Sequence, residues 1–275
     1  MKGILLLIAA VVTLAAAYAA FSGRLKSKYE MVSRQQALAA RMNAGVYTDP
    51  VSGNVMPWRL YVPPTGRPER LPIVLVLHGG PSRGNDNLRQ LDESVRLLLS
   101  DELQGIEPFM VLAPQAAVRT HWVNYPGFDP PFTNFDQRVI PQSENIKTAI
   151  RLLQEVAEKN NADPARTYLT GMSMGGEGSW DAATYYPDLF AAALILNGAG
   201  DPRAMKRVRK LPIRFYHGSE DTITPVANSR ELAESLRNAK AIARYTELPG
   251  AGHEIRAQVY TPANLTWLLQ QKKAG

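Results

Sequence analysis

Pro72-Ile73-Val74-Leu75-Val76-Leu77 is a short run without a polar residue, rich in β-branched side chains. A strand of this kind has no solvent-facing side, as in a parallel sheet covered on both faces. Similar runs recur at Phe109–Ala113, Tyr168–Thr170, Ala192–Leu196 and Ile213–Tyr216. Helical patterns lie between them, near Leu88–Ser100, Ser143–Asn160, Gly175–Tyr186 and Val226–Asn238, and a strand near Ala241–Leu248 and a helix near Gln258–Gln271 close the series. Strands alternating with helices imply an α/β fold, a doubly wound and mostly parallel sheet with helices on both faces. An opening pair of strands, roughly Gly45–Thr48 and Val55–Val62, precedes the alternation, with Asp49-Pro50 and Ser52-Gly53-Asn54 marking the turn between them.

The chain divides into three parts. Residues 1–21 hold Lys2 and an apolar run from Gly3 to Phe21, with Ala17-Tyr18-Ala19 as a cleavage pattern and Arg24, Lys26 and Lys28 just beyond. That is the pattern of a signal peptide or an uncleaved signal anchor, so the domain is expected to be exported: periplasmic, secreted or tethered to a membrane. Residues 22–44 read as a polar, helical linker or stalk, and residues 45–275 as one catalytic domain. The formal net charge is +6, with no nucleic-acid-binding motif beside it. The basic stretch from Arg203 to Lys210 reads as a solvated face. No cysteine is present, which excludes disulfides, thiolate metal sites and a cysteine nucleophile.

One stretch breaks the alternation. Residues 116–142 carry Trp122, Tyr125, Phe128, Phe132 and Phe135 among Pro, Gly and Asn. A loop this long in a compact domain is often functional, and it leaves the C-terminal edge of a parallel strand, where open α/β sheets bind ligands. Trp122 is the expected substrate-binding residue of this loop, whereas Trp180 is expected to pack the core.

The chemistry centres on Gly171-Met172-Ser173-Met174-Gly175, entered by a strand and left by a helix. In that context G-x-S-x-G is a nucleophile elbow: the serine sits on a sharp turn that exposes its hydroxyl, and glycines let the chain pack closely around it. A serine hydroxyl needs a base. Of four histidines only His217 and His253 follow Ser173, and His253 sits in a glycine-rich loop between the last strand and last helix. His253 is therefore the expected base, and His217, ending a strand, a structural residue. The loop after His217 supplies the orienting carboxylate: Asp221, with Glu220 as the alternative. An oxyanion hole needs two backbone donors, expected from the amide of Met174 and that of Gly80, with Gly79 second. Pro81 cannot donate, and His78 is expected to hold the loop in place.

The set Leu77-His78-Gly79-Gly80, Gly171–Gly176, His217-Gly218-x-x-Asp221 and Gly252-His253 resembles the α/β-hydrolase superfamily. The stretch from Asp163-Pro164 through the elbow to Tyr186-Pro187-Asp188-Leu189-Phe190 is similar to its esterase and peptidase branch, related to feruloyl esterases, polyhydroxyalkanoate depolymerases and dienelactone hydrolase. The resemblance implies a Ser-His-Asp hydrolase acting on small-molecule carboxylic esters with small or aromatic acyl groups, without cofactor or metal. The competing functions are a serine peptidase on the same fold and a catalytically silent envelope binding protein.

Overall fold

The computed structural model describes Phe21, Lys26 and residues 28–64, 70–125, 127 and 129–273. Eight strands form one sheet: β1 (Asn43–Thr48), β2 (Val55–Tyr61), β3 (Ile73–Leu77), β4 (Met110–Pro114), β5 (Thr167–Met172), β6 (Ala192–Leu196), β7 (Ile213–Gly218) and β8 (Ala243–Leu248). Their spatial order is β1-β2-β4-β3-β5-β6-β7-β8. β1 and β2 pair as an antiparallel hairpin and β2 meets β4 antiparallel, while all other neighbours run parallel. The apolar runs are therefore the central strands, as a sheet buried on both faces requires.

The side-chain alternation along β3 shows the two layers directly. Ile73, Leu75 and Leu77 enter one core with Trp180, Leu153 and Leu232. Val74 and Val76 enter the other with Val95, Leu98 and Leu265. All five β3 side chains are at most 1% exposed, so each contributes about 1.5–3 kcal/mol of transfer free energy.

Residues 28–39 form a first helix, α1. It is followed by α2 (Glu93–Leu98), α3 (Asp101–Gln104), α4 (Glu144–Lys159), α5 (Met174–Tyr185), α6 (Ala227–Asn238), α7 (Arg256–Val259) and α8 (Pro262–Gln270). The helix expected over Leu88–Ser100 starts later, at the Asp92 cap, and is broken from α3 by a second cap at Ser100. The one expected over Gln258–Gln271 is split by Pro262, which opens α8.

The apolar leader expected over residues 1–21 lies outside the described residues except for Phe21, and among the described residues no helix is long and apolar enough to cross a membrane. The segment read as a linker sends Leu38 and Met42 into the core of the domain. Its residue Ala39 also accepts a hydrogen bond from Arg59 at 3.4 Å.

Candidate active site

β5 runs into a turn at Ser173, whose φ of +59° and ψ of −125° place a non-glycine residue in a strained region of backbone space. The turn is held where it is by packing from below. A Cβ on Gly175 would lie 1.8 Å from the Leu77 carbonyl oxygen, and one on Gly171 would lie 2.3 Å from the Gly175 oxygen. Only glycine allows α5 to approach β3 so closely. The serine amide donates to the Leu196 carbonyl at 3.0 Å, tying the turn to β6.

The loops after β7 and β8 bring two further side chains to the same edge. His253 Nε2 lies 2.8 Å from Ser173 Oγ, and His253 Nδ1 lies 2.7 Å from Asp221 Oδ2. The aspartate's other oxygen accepts the amides of Ile223 at 2.8 Å and Thr224 at 3.0 Å. Burial by itself would raise the Asp221 carboxyl, but the nearby His217 Nε2 at 3.4 Å and the hydrogen bonds from His253 and the Thr224 amide outweigh it and hold the group well below the usual carboxylate range. The carboxylate therefore stays charged and accepts the His253 Nδ1 proton, which leaves Nε2 as the acceptor for the serine hydroxyl. Glu220, the sequence alternative to Asp221, is exposed and faces solvent.

His217 is fully buried. Its Nε2 donates to the Thr224 carbonyl at 2.7 Å and its Nδ1 meets Ser229 Oγ at 2.7 Å, so it shapes the Asp221 loop. Asn197, at the end of β6, carries no motif and was not singled out by sequence. Its side chain donates to the His253 carbonyl at 2.6 Å and accepts the Gly218 amide at 3.2 Å, lacing the two loops together.

Gly80 and Met174 each open a helical turn, so neither amide has an intrahelical acceptor. Gly79 sits against the elbow: a side chain there would start 3.9 Å from Ser173 Cβ. Its carbonyl accepts His78 Nδ1 at 2.8 Å and the Ser82 amide at 3.1 Å. In a trans peptide the N–H points opposite the C=O, so these bonds fix the direction of the Gly80 N–H. His78 Nε2 accepts the Ala116 amide at 3.0 Å, which requires a neutral ring. Burial pushes its pKa down to about 4 and keeps it neutral.

A cavity of about 1000 Å³ opens over Ser173, His253, Gly80 and Met174. Trp122 is not among the residues that line it. The tryptophan is fully buried, donates from Nε1 to the His78 carbonyl at 2.9 Å, and packs edge-on against the His78 ring. The expectation that it binds substrate is thus corrected: it braces the loop behind the cavity, in space left by Gly178, where a Cβ would come within 2.5 Å of the indole's own Cβ. Two other residues of the long loop, His121 and Phe132, do line the cavity. α1 also lines the cavity, through Met31, Arg34 and Leu38.

A buried carboxyl lies one turn beyond the nucleophile. Glu177 is fully buried, and its Oε2 lies 3.1 Å from His121 Nε2. The alignment is too poor for a linear hydrogen bond, so the contact is electrostatic. Burial raises the Glu177 pKa, and the neighbouring His121 offsets only part of that rise. Among the described residues no cluster of His, Cys, Asp or Glu could hold a metal ion.

Residues 68–261 match the dienelactone hydrolase family. The Salmonella typhimurium protein named "Putative carboxymethylenebutenolidase" is 25% identical over 233 residues, covering 80% of each chain. Poly(3-hydroxyalkanoate) depolymerase C of Paucimonas lemoignei is 24% identical over 238 residues, which cover 75% of this chain and 54% of that one. A thermostable esterase of known structure superposes with a TM-score of 0.78 at 30% identity, over 86% of this chain. This chain spans 64% of that esterase's length, and the fold the two share is the α/β-hydrolase fold.

Proposed function

This chain belongs to the dienelactone hydrolase family, and from that premise we propose that it hydrolyses carboxylic esters through an acyl-enzyme on Ser173. The observation that carries the reading is the unbroken relay from Ser173 Oγ through His253 to Asp221, at 2.8 and 2.7 Å, beneath an open cavity. In the proposed reaction His253 Nε2 takes the hydroxyl proton as Oγ attacks the ester carbonyl. The imidazolium so formed is stabilised by the Asp221 carboxylate through Nδ1. Negative charge on the former carbonyl oxygen is met by the amides of Met174 and Gly80, aided by the N-terminal end of α5. His253 then returns the proton to the leaving alcohol. Water, deprotonated by the same histidine, attacks the acyl-enzyme and releases the acid.

The test is labelling of the full chain with a fluorescent fluorophosphonate, followed by turnover of p-nitrophenyl acyl esters beside a peptidyl p-nitroanilide. Labelling together with ester turnover is the expected result. Labelling with turnover of the anilide alone would replace the esterase reading by a peptidase, and a folded chain that neither labels nor turns over would remove both.

His78 acts in this scheme through the Gly79–Gly80 peptide, and its two nitrogens can be separated by isosteres. His78→Gln keeps an acceptor near Nε2 for the Ala116 amide but loses the bond to the Gly79 carbonyl. We expect kcat to fall roughly 10–100-fold, since a loosened oxyanion donor costs up to the about 10²–10³ of a deleted one. His78→Asn keeps a donor near Nδ1 and should retain more kcat while melting lower. Equal kcat in the two variants would show that the Gly79 carbonyl bond does not set the donor.

A further inference from the structure

We propose that His121 and Phe132, beside Met174 and Ile223, form an aryl-binding subsite of the cavity, and that Glu177 is the positioning residue that holds the His121 ring for it. The proposal rests on the ester-hydrolase reading and names the group its substrates carry.

His121 lines the cavity, yet both its nitrogens are turned into the protein. Nδ1 accepts the Val123 amide at 3.0 Å, which puts the ring proton on Nε2, and Nε2 faces Glu177 at 3.1 Å. Nδ1 is spent on that amide and Nε2 is buried, so neither nitrogen is presented to a substrate. What His121 presents to the cavity is ring face and carbon edge.

The rest of the wall has the same character. The Phe132 ring lies 5.8 Å from that of His121 at an angle of 40°, and Tyr125 meets both, at 5.2 Å from His121 and 5.7 Å from Phe132. These are centroid separations at which aromatic rings attract one another, and a further ring seated in the cavity extends the cluster. Ile223 lines the wall beside Phe132, while Met172 and Met174 flank Ser173 with thioethers suited to a ring edge.

The wall is also preorganised. The Phe132 amide donates to the Ile223 carbonyl at 3.1 Å, and the Phe132 carbonyl accepts Asn228 Nδ2 at 2.7 Å, so the ring is pinned to the loop that carries Asp221. Asn145 Nδ2 holds the His121 carbonyl at 2.9 Å. Glu177 is the one costly element. A fully buried carboxyl with no well-formed hydrogen bond among the described residues is unfavourable for the fold, and 3.1 Å from it lies the ring nitrogen that must face away from the cavity. Its evident return is the orientation of that ring.

The experiment uses ester pairs that differ only in the aromaticity of one ring: methyl 3-phenylpropanoate against methyl 3-cyclohexylpropanoate, and benzyl acetate against cyclohexylmethyl acetate, followed by pH-stat. Aromatic contacts beyond plain burial predict an aryl-to-cyclohexyl ratio in kcat/KM of about 3–10 in at least one pair. The pair that shows it assigns the subsite to the acyl or the alcohol side. Phe132→Leu should bring that ratio below about 2. The double variant His121→Leu/Glu177→Leu, which leaves no orphaned carboxyl, should do the same. Glu177→Gln should raise KM for the aryl ester more than it lowers kcat, because the ring is then held less firmly. Ratios near 1 in both pairs for the wild type, or a ratio that survives both Phe132→Leu and the double variant, would overturn the proposal. Fluorophosphonate labelling of each protein separates the two levels. Labelled wild type with equal rates removes the subsite alone, and unlabelled, inactive wild type removes the hydrolase reading with it.

Discussion

Ser173→Ala should abolish fluorophosphonate labelling and lower kcat on p-nitrophenyl acetate by about 10⁴–10⁶-fold, equivalent to roughly 5–8 kcal/mol of lost transition-state stabilisation. The size follows from the role. Without Oγ no acyl-enzyme forms, and the remaining rate is what two oxyanion donors and binding can draw from water. The fold should be nearly unaffected. The hydroxyl's hydrogen bond is to His253, whose side chain is 26% exposed and can be satisfied by solvent. The structural duties of position 173 belong to its backbone: the amide bonds the Leu196 carbonyl and the carbonyl accepts the Glu177 amide at 2.9 Å. Alanine keeps both and must adopt the same φ of +59°, as serine already does. A thermal melt within a few degrees of wild type is therefore expected beside the lost activity. Retained turnover above about one hundredth of wild type would mean that another group attacks the ester.

The contrast between Ser173 and Trp122 shows which parts of the site could be read from sequence. The elbow is a local object: the strand, the turn glycines and the following helix are contiguous, so chain order alone carries Ser173 to the C-terminal edge of the sheet. His253 and Asp221 sit in loops that leave the ends of β8 and β7, and the parallel register of β5, β6, β7 and β8 brings those loops to the same edge. Trp122 was placed by composition, as a large aromatic residue in a long loop. Its position is instead decided by partners that are distant in sequence: the His78 carbonyl and the groove left by Gly178. His121 and Glu177 escaped for the same reason: 56 residues separate them, and only the fold brings the ring nitrogen against the carboxyl. The segment before β1 reads as a stalk because charged and amide residues are spread along it and its apolar residues form no long run. Of its apolar residues Leu38 and Met42 are the large ones buried in the domain, and Leu38 and Met31 bring α1 to the cavity as part of its wall. The helix boundaries at Asp92, Ser100 and Pro262 were missed because apolar periodicity runs across them, whereas the caps and the proline set where the backbone starts and stops.

Asp221→Asn should lower kcat by about 10⁴-fold with little change in melting temperature, and the reason lies in the backbone around the carboxylate. Oδ1 accepts two amides, from Ile223 and Thr224, and an asparagine must present its carbonyl oxygen there, because an NH₂ group would set donor against donor. That choice turns the asparagine NH₂ toward His253 Nδ1, now 2.7 Å from Oδ2. The histidine can accept that hydrogen bond only by moving its own proton to Nε2, and in that tautomer it cannot take the proton of Ser173. The two loop amides thus enforce an inactive tautomer without moving a heavy atom. The wild-type carboxylate avoids this across the working range because its folded pKa is depressed. The stability it contributes is complete above its unfolded pKa of about 4 and is lost only as pH falls below that toward the folded value. Glu220→Gln, a change at the exposed neighbouring position, serves as the control and should leave kcat within about twofold. If Asp221→Asn kept more than about one tenth of wild-type kcat while Glu220→Gln lost activity, the orienting carboxylate would be Glu220 and the relay geometry a property of the resting loop alone.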